Sequence, residues 1–125
     1  MGRKHYRARC HCGLVRFAFW SEEITTGARC NCSICVRKGA LLSSRIPAAD
    51  FEPHEDMTLL EDYRWSDRVV NHLFCKRCGV FPYSGDPEMG YRVNLGCVEG
   101  LDVFALEVGL IDGRSLPVGD APAEP

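Results

Sequence analysis

Cys75-Lys76-Arg77-Cys78-Gly79, read together with Cys10-His11-Cys12-Gly13 near the start of the chain, decides the fold. In the later stretch, two residues between the cysteines allow a tight turn that carries both sulfurs to one ion at about 2.3 Å. Gly79 falls where a left-handed backbone is expected, a conformation that glycine takes without penalty. The earlier stretch is less usual. Residues two apart on a straight strand share a face but are spread along it. Cys10 and Cys12 therefore converge only if the chain bends, and Gly13 supplies the bend. Together the four thiols complete a tetrahedral structural zinc site. Such a site staples the first strand to a much later segment, and closing that long loop through metal contributes to stability.

The sequence around these stretches reads as β from end to end. Leu14–Trp20 is rich in β-branched and aromatic residues, and Met57–Trp65 with Val69–Phe74 reads as a hairpin around Ser66-Asp67-Arg68. Tyr91–Leu95 alternates, with Tyr91, Val93 and Leu95 on one face and Arg92 and Asn94 on the other, and Phe104–Val108 closes the set. The one helical candidate is a short turn at Pro47–Phe51. The expectation is an all-β, zinc-stapled sheet domain with little helix over residues 1–115, followed by a disordered tail at 116–125.

A third cluster, Cys30-Asn31-Cys32-Ser33-Ile34-Cys35, offers three thiols to a second zinc. Structural zinc takes four protein ligands, whereas catalytic zinc keeps three and leaves a place for water or substrate. The spacing favours an open site, while Cys97, His11, His54 and His72 stay open as sources of a fourth ligand. Cys97 lacks a ligand-spaced neighbour and reads as a buried, inert thiol. His5 and His72 sit in strand-like runs and read as packed or solvated.

The opening MGRKHYRARC has no apolar segment after its basic residues, and no apolar run approaches the roughly 20 residues that span a bilayer. A soluble, cytoplasmic protein with no membrane partner is the expectation, and there eight cysteines read as metal ligands or reactive thiols rather than disulfides. Residues 1–45 carry a net charge of +7 and the remainder −9. Nucleic-acid binding is the lesser reading of that asymmetry; compensation of thiolate charge and segregation of solvated faces both outweigh it. There is no Ser/His/Asp arrangement, no phosphate-cradling glycine loop and no H-E-x-x-H.

The ordered motifs C-H-C-G-x-V-x-F from Cys10, C-x-C-S-x-C from Cys30, F-C-x-x-C-G from Phe74 and Y-R-V-N-L-G-C from Tyr91 span about Arg9 to Leu101. This set resembles the glutathione-dependent formaldehyde-activating family, which includes centromere protein V-like proteins. The resemblance implies a "β-tent" of sheets with two zincs per chain. Cys10, Cys12, Cys75 and Cys78 would hold the structural zinc, and Cys30, Cys32 and Cys35 the catalytic one. The implied activity is a carbon–sulfur lyase reaction joining glutathione, or a similar thiol, to formaldehyde or a related small carbonyl compound. Arg29, Arg37 and Lys38 flank the second site and are candidates to hold substrate carboxylates. Many members carry an Asp pair where this chain has Val98-Glu99-Gly100-Leu101-Asp102. The competing reading is a non-catalytic zinc module that binds a protein, a thiol metabolite or nucleic acid.

Overall fold

The computed structural model describes residues 2–64 and 71–115, and these are mostly strand with little helix. β1 (Arg3–Arg9) pairs antiparallel with β2 (Arg16–Glu22) in a register running from Arg3↔Glu22 to Arg9↔Arg16. β2 alternates as its sequence requires: Phe17 and Phe19 are buried while Arg16 and Trp20 face solvent. β4 (Phe51–Glu52) adds to the free edge of β2.

A second sheet is an antiparallel meander of β5 (Leu60–Tyr63), β6 (His72–Cys75), β7 (Tyr83–Asp86) and β8 (Gly90–Val93). The tight β7–β8 connection depends on Gly85, whose φ is +122° and where a Cβ would collide with the Gly90 carbonyl. The third sheet pairs β3 (Thr26–Cys30) in parallel with β9 (Glu107–Ile111). Isolated bridges Ala28↔Leu42, Leu42↔Asn94 and Ala8↔Val98 tie the sheets to one another.

The core forms where the first two sheets face each other. Phe51 stacks on Tyr91 with ring centroids 4.0 Å apart, and Tyr83 meets Phe17 at 4.8 Å and Phe51 at 4.9 Å. The buried Tyr83 hydroxyl accepts a hydrogen bond from the His54 backbone N–H at 3.1 Å, so its polar end is satisfied. Cys10 and Cys75 belong to this same buried cluster.

Several elements differ from the sequence expectation. β2 starts at Arg16, two residues later than read, because Cys12–Val15 are consumed by the turn below the first cysteine pair. Met57–Leu59 is a 3-10 turn capped by the Asp56 side chain, so strand begins only at Leu60. Val103–Ala105 is likewise a 3-10 turn, capped by Asp102, and the last strand is displaced to Glu107–Ile111. Pro47–Phe51 holds the expected short turn, at Ala48–Asp50. The largest omission is α1 (Ser33–Lys38), a six-residue helix built inside the middle cysteine cluster. Its stop signal was readable: two basic residues in the last turn precede Gly39, which takes φ +67° and donates its N–H to the Cys35 carbonyl at 3.0 Å. The Ser66-Asp67-Arg68 turn and the 116–125 tail lie outside the described residues.

Candidate metal centres

The first cluster is assembled by two turns of the same design. Cys10 N–H donates to the Val15 carbonyl at 3.0 Å and Gly13 N–H to the Cys10 carbonyl at 3.2 Å. Cys75 N–H donates to the Val80 carbonyl at 3.0 Å and Gly79 N–H to the Cys75 carbonyl at 2.8 Å. Gly13 and Gly79 take φ values of +83° and +79°, so both turns close on a left-handed glycine. Backbone N–H groups also point at sulfur: Val15 to Cys10 Sγ at 3.3 Å, and Arg77 to Cys75 Sγ at 3.3 Å. Such donors favour thiolate over thiol.

The sulfurs of Cys10, Cys12, Cys75 and Cys78 lie within 4.8 Å of one another. At a metal–sulfur distance of about 2.3 Å, tetrahedral ligands sit about 3.8 Å apart. Cys10 Sγ to Cys12 Sγ measures 3.6 Å and Cys12 Sγ to Cys75 Sγ 3.7 Å, so this donor set fits one tetrahedral ion. Four thiols this close cannot all ionise without a cation, and their acidities split. Burial opposes ionisation of Cys78, but the Cys12 and Val80 N–H groups and neighbouring thiols outweigh it and bring it to about 6. Cys12 is pushed up to about 11: the Leu14 N–H lowers it, but burial and the other three thiols dominate.

The second cluster sits at one end of the β3–β9 sheet. Cys30 is the last residue of β3, Cys32 is the N-cap of α1 and Cys35 lies on the helix, and their sulfurs also fall within 4.8 Å of one another. Among the described residues no fourth Cys, His, Asp or Glu joins them. Of the candidates for that place, His72 Nδ1 lies 3.0 Å from Lys38 Nζ, and His54 Nδ1 accepts the Arg16 N–H at 3.0 Å. His11 belongs to an exposed turn, outside both clusters. Cys97 is buried; it donates its S–H to the Phe81 carbonyl at 3.7 Å, and burial pushes it up to about 12.

One wall of the second cluster is backbone. Asn31 N–H donates to the Ile111 carbonyl at 3.1 Å, and Asn31 Nδ2 donates to Asp112 Oδ1 at 2.9 Å. Arg114 N–H and Nε donate to Asn31 Oδ1 and to its carbonyl at 3.0 and 2.8 Å. These bonds hold Gly113 against the Cys30–Cys32 loop so closely that a Cβ there would stand 2.5 Å from Cys30 Sγ. The sequence treated Asn31 as a spacer and gave no sign that residues from the far end of the chain close over it.

Burial pushes the Cys35 thiol well above its ordinary value, so its thiolate needs cationic company, and Lys38 is the first group that opposes the shift. The three basic candidates separate here. Arg29 donates to the Gly39 carbonyl at 3.4 Å and Arg37 to the Ser33 carbonyl at 3.0 Å, and both residues are exposed. Lys38 is part-buried, with its ammonium 3.5 Å from the centroid of Phe81. Arg92 was read from sequence only as the opposite face of an alternating strand. It is part-buried and donates to the Ser43 carbonyl at 3.1 Å; burial and then Arg45 disfavour its charge, while Cys30 and Cys35 favour it. It also lines a groove of about 380 Å³ beside β3, together with Leu42 and Ile111, the register partner of Cys30.

The sequence asymmetry of charge is offset in part in space. Arg3 pairs with Asp50 at 2.6 Å and Arg9 with Glu99 at 3.5 Å, so acidic residues from later in the chain reach the basic first strand, while Lys4 pairs with Glu23 of its own segment at 3.7 Å. No helix among the described residues is long and apolar enough to cross a membrane.

Comparison with known proteins bears on the family and the fold. A family model described as glutathione-dependent formaldehyde-activating enzyme matches residues 5–109. A crystal structure of a Rhodobacter sphaeroides protein matches with a TM-score of 0.72 and 28% sequence identity, covering 84% of this chain and 99% of that one.

Proposed function

Because the chain belongs to the glutathione-dependent formaldehyde-activating enzyme family, we propose that it is a zinc-dependent carbon–sulfur lyase acting on a thiol and a small carbonyl compound. Cys10, Cys12, Cys75 and Cys78 would hold a structural zinc, and Cys30, Cys32 and Cys35 would hold a second zinc that leaves a position for substrate. The observation that carries this reading is the second cluster: three converging thiols with no fourth protein ligand among the described residues.

A divalent ion held by three thiolates bears one net negative charge and is a weak polariser of a carbonyl. When bound, zinc supplies a fourth position that lowers the pKa of a thiol placed there, which gives a nucleophile at neutral pH. The chain's own residues do the rest. Asn31 and the 111–114 segment fix the Cys30–Cys32 loop, and Gly113 covers one side of the sulfurs against water. Lys38 and Arg92 bring positive charge to the cluster, and the groove beside Arg92 receives the body of the thiol. In the addition, the sulfur of glutathione bonds to the formaldehyde carbon and the carbonyl π bond opens. The thiol proton ends on the oxygen, giving a hydroxymethyl thioether with nothing oxidised or reduced. Thiol chemistry of this kind belongs in a reducing compartment such as the cytoplasm.

Since thiols add to formaldehyde rapidly unaided, the test is an exchange measurement at equilibrium. Two-dimensional exchange NMR with 13C-formaldehyde and glutathione should show faster exchange with the zinc-loaded protein than with its Cys32→Ser variant. Equal rates, both matching the protein-free solution, refute the enzyme. Thiol binding without acceleration would instead establish the binding-module reading, which is favoured by one observation: His72, the imidazole beside the cluster's lysine, is already engaged by Lys38.

A further inference from the structure

Lys38 and Arg92 are placed in a way that the proposed activity does not by itself require. Both are part-buried, and among the described residues neither has a carboxylate within ion-pair distance. A buried charge without a partner is costly, so a half-buried cation implies a nearby anion. For Lys38 the other contacts are an imidazole nitrogen of His72 at 3.0 Å and the face of Phe81 at 3.5 Å. Phe81 packs with Ala40 and Leu42 against Cys30, so the ammonium is pinned on the shell of the cysteine cluster. Arg92 is anchored by the Ser43 carbonyl and has Arg45 as a like-charged neighbour, which adds to its need for negative charge.

We propose that Lys38 and Arg92 form a two-cation cradle that makes the fourth position of the Cys30/Cys32/Cys35 zinc a site for an anionic thiolate in preference to a neutral donor. The inference rests on the reading given under Proposed function and assigns the source of its ligand selectivity. A divalent ion with three thiolates carries one negative charge; two adjoining cations turn that into one positive charge. A single thiolate then brings the assembly to neutrality, whereas water or imidazole leaves the excess positive charge in place. Burial lowers both cations below their ordinary values, with Arg45 adding to the effect at Arg92, and the cysteines of the cluster oppose that loss of charge. Among the described residues, the charged and titratable groups around the cluster include the three cysteines, Lys38 on α1 with His72 on β6 and Asp62 behind it on β5, Arg92 on β8 with Arg45, and the opposite charges of Asp112 and Arg114, both bonded to Asn31. His72 is a positioning residue: burial and Lys38 hold its imidazole neutral, leaving Nδ1 to accept from the ammonium.

The test is ligand binding to the cobalt-loaded full chain at about pH 7, read by the visible absorption of the ion, with glutathione and imidazole as probes. Lys38→Met and Arg92→Met should each raise the glutathione dissociation constant about tenfold or more, the effect of removing one adjacent opposite charge. Imidazole affinity should stay within about a factor of two, because imidazole binds neutral. Arg92→Lys should keep the preference. Two single variants on different elements guard against one failing to fold. If the wild type binds thiol and both methionine variants bind glutathione as tightly, the cradle is refuted while the thiol site stands. If glutathione and imidazole weaken equally, the residues are structural and the proposal fails. If the wild type binds no thiol, the reading it rests on fails with it.

Discussion

Gly113→Ala is the sharpest perturbation of the second cluster. Its φ is not in the left-handed region, so the substitution adds contact without backbone strain. The new Cβ would stand 2.5 Å from Cys30 Sγ and 3.1 Å from Cys32 Cβ, whereas ordinary contact begins at 3.4 Å. One partner must yield by about 1 Å, and metal–ligand distances tolerate only about 0.2 Å. The segment that carries Gly113 is held to Asn31 by four hydrogen bonds, two through its backbone and two through the Asp112 and Arg114 side chains, so the sulfur is what moves. Rotating Cys30 off the ion should weaken the second site by about 100-fold, or ~2.7 kcal/mol. The first site, built by other turns, should be unaffected. Competition with a chromogenic chelator reads the two ions separately. Gly109→Ala, on β9 just before the Gly113 turn, is the control, since nothing lies within 4 Å of a Cβ there. A Gly113→Ala protein that holds both ions as tightly as wild type would refute the packing argument.

Further outcomes follow from the same geometry. Cys75→Ser breaks a site inside the main core and should lower the melting temperature by more than about 10 °C, with loss of one zinc. Cys32→Ser should also lose one zinc but shift melting by less than about 5 °C; a collapsed fold would mean the two roles are reversed. Burial, and then the charge of Lys38, lower the His72 imidazole to about 4, so its ring-proton NMR shifts should stay flat from neutral pH to about 5.5. The unfolded chain takes up that proton near about 6.5, so this contribution to stability is full above that pH and is lost as the pH falls toward about 4. A His72 midpoint above about 6 contradicts the burial.

What the sequence revealed was local. A C-x-x-C-G stretch carries its turn in its own residues, and alternation placed Tyr91, Val93 and Leu95 together on the buried side, where they lie. What it concealed was long-range. Parallel pairing of β3 with β9 has no turn to announce it, and only that pairing brings Gly113 against Cys30. Arg92 could be assigned only to the face opposite Tyr91, because period two shows which positions share a face, not what covers that face. The helix at Ser33–Lys38 is too short for apolar periodicity to show, and only its glycine stop betrayed it. Ion pairs such as Arg3–Asp50 and Arg9–Glu99 likewise join segments that no sequence window contains, so charge segregation along the chain gave no picture of the folded surface.

The central claim is two zincs on seven cysteines, one of them with room for a thiol. Zinc K-edge absorption spectroscopy on the loaded protein tests it directly, with and without glutathione. The account predicts two zincs per chain averaging about three and a half sulfurs each, rising to about four when the thiol is added. Four sulfurs per zinc from the outset with no change on adding thiol, or a single zinc per chain, would contradict it.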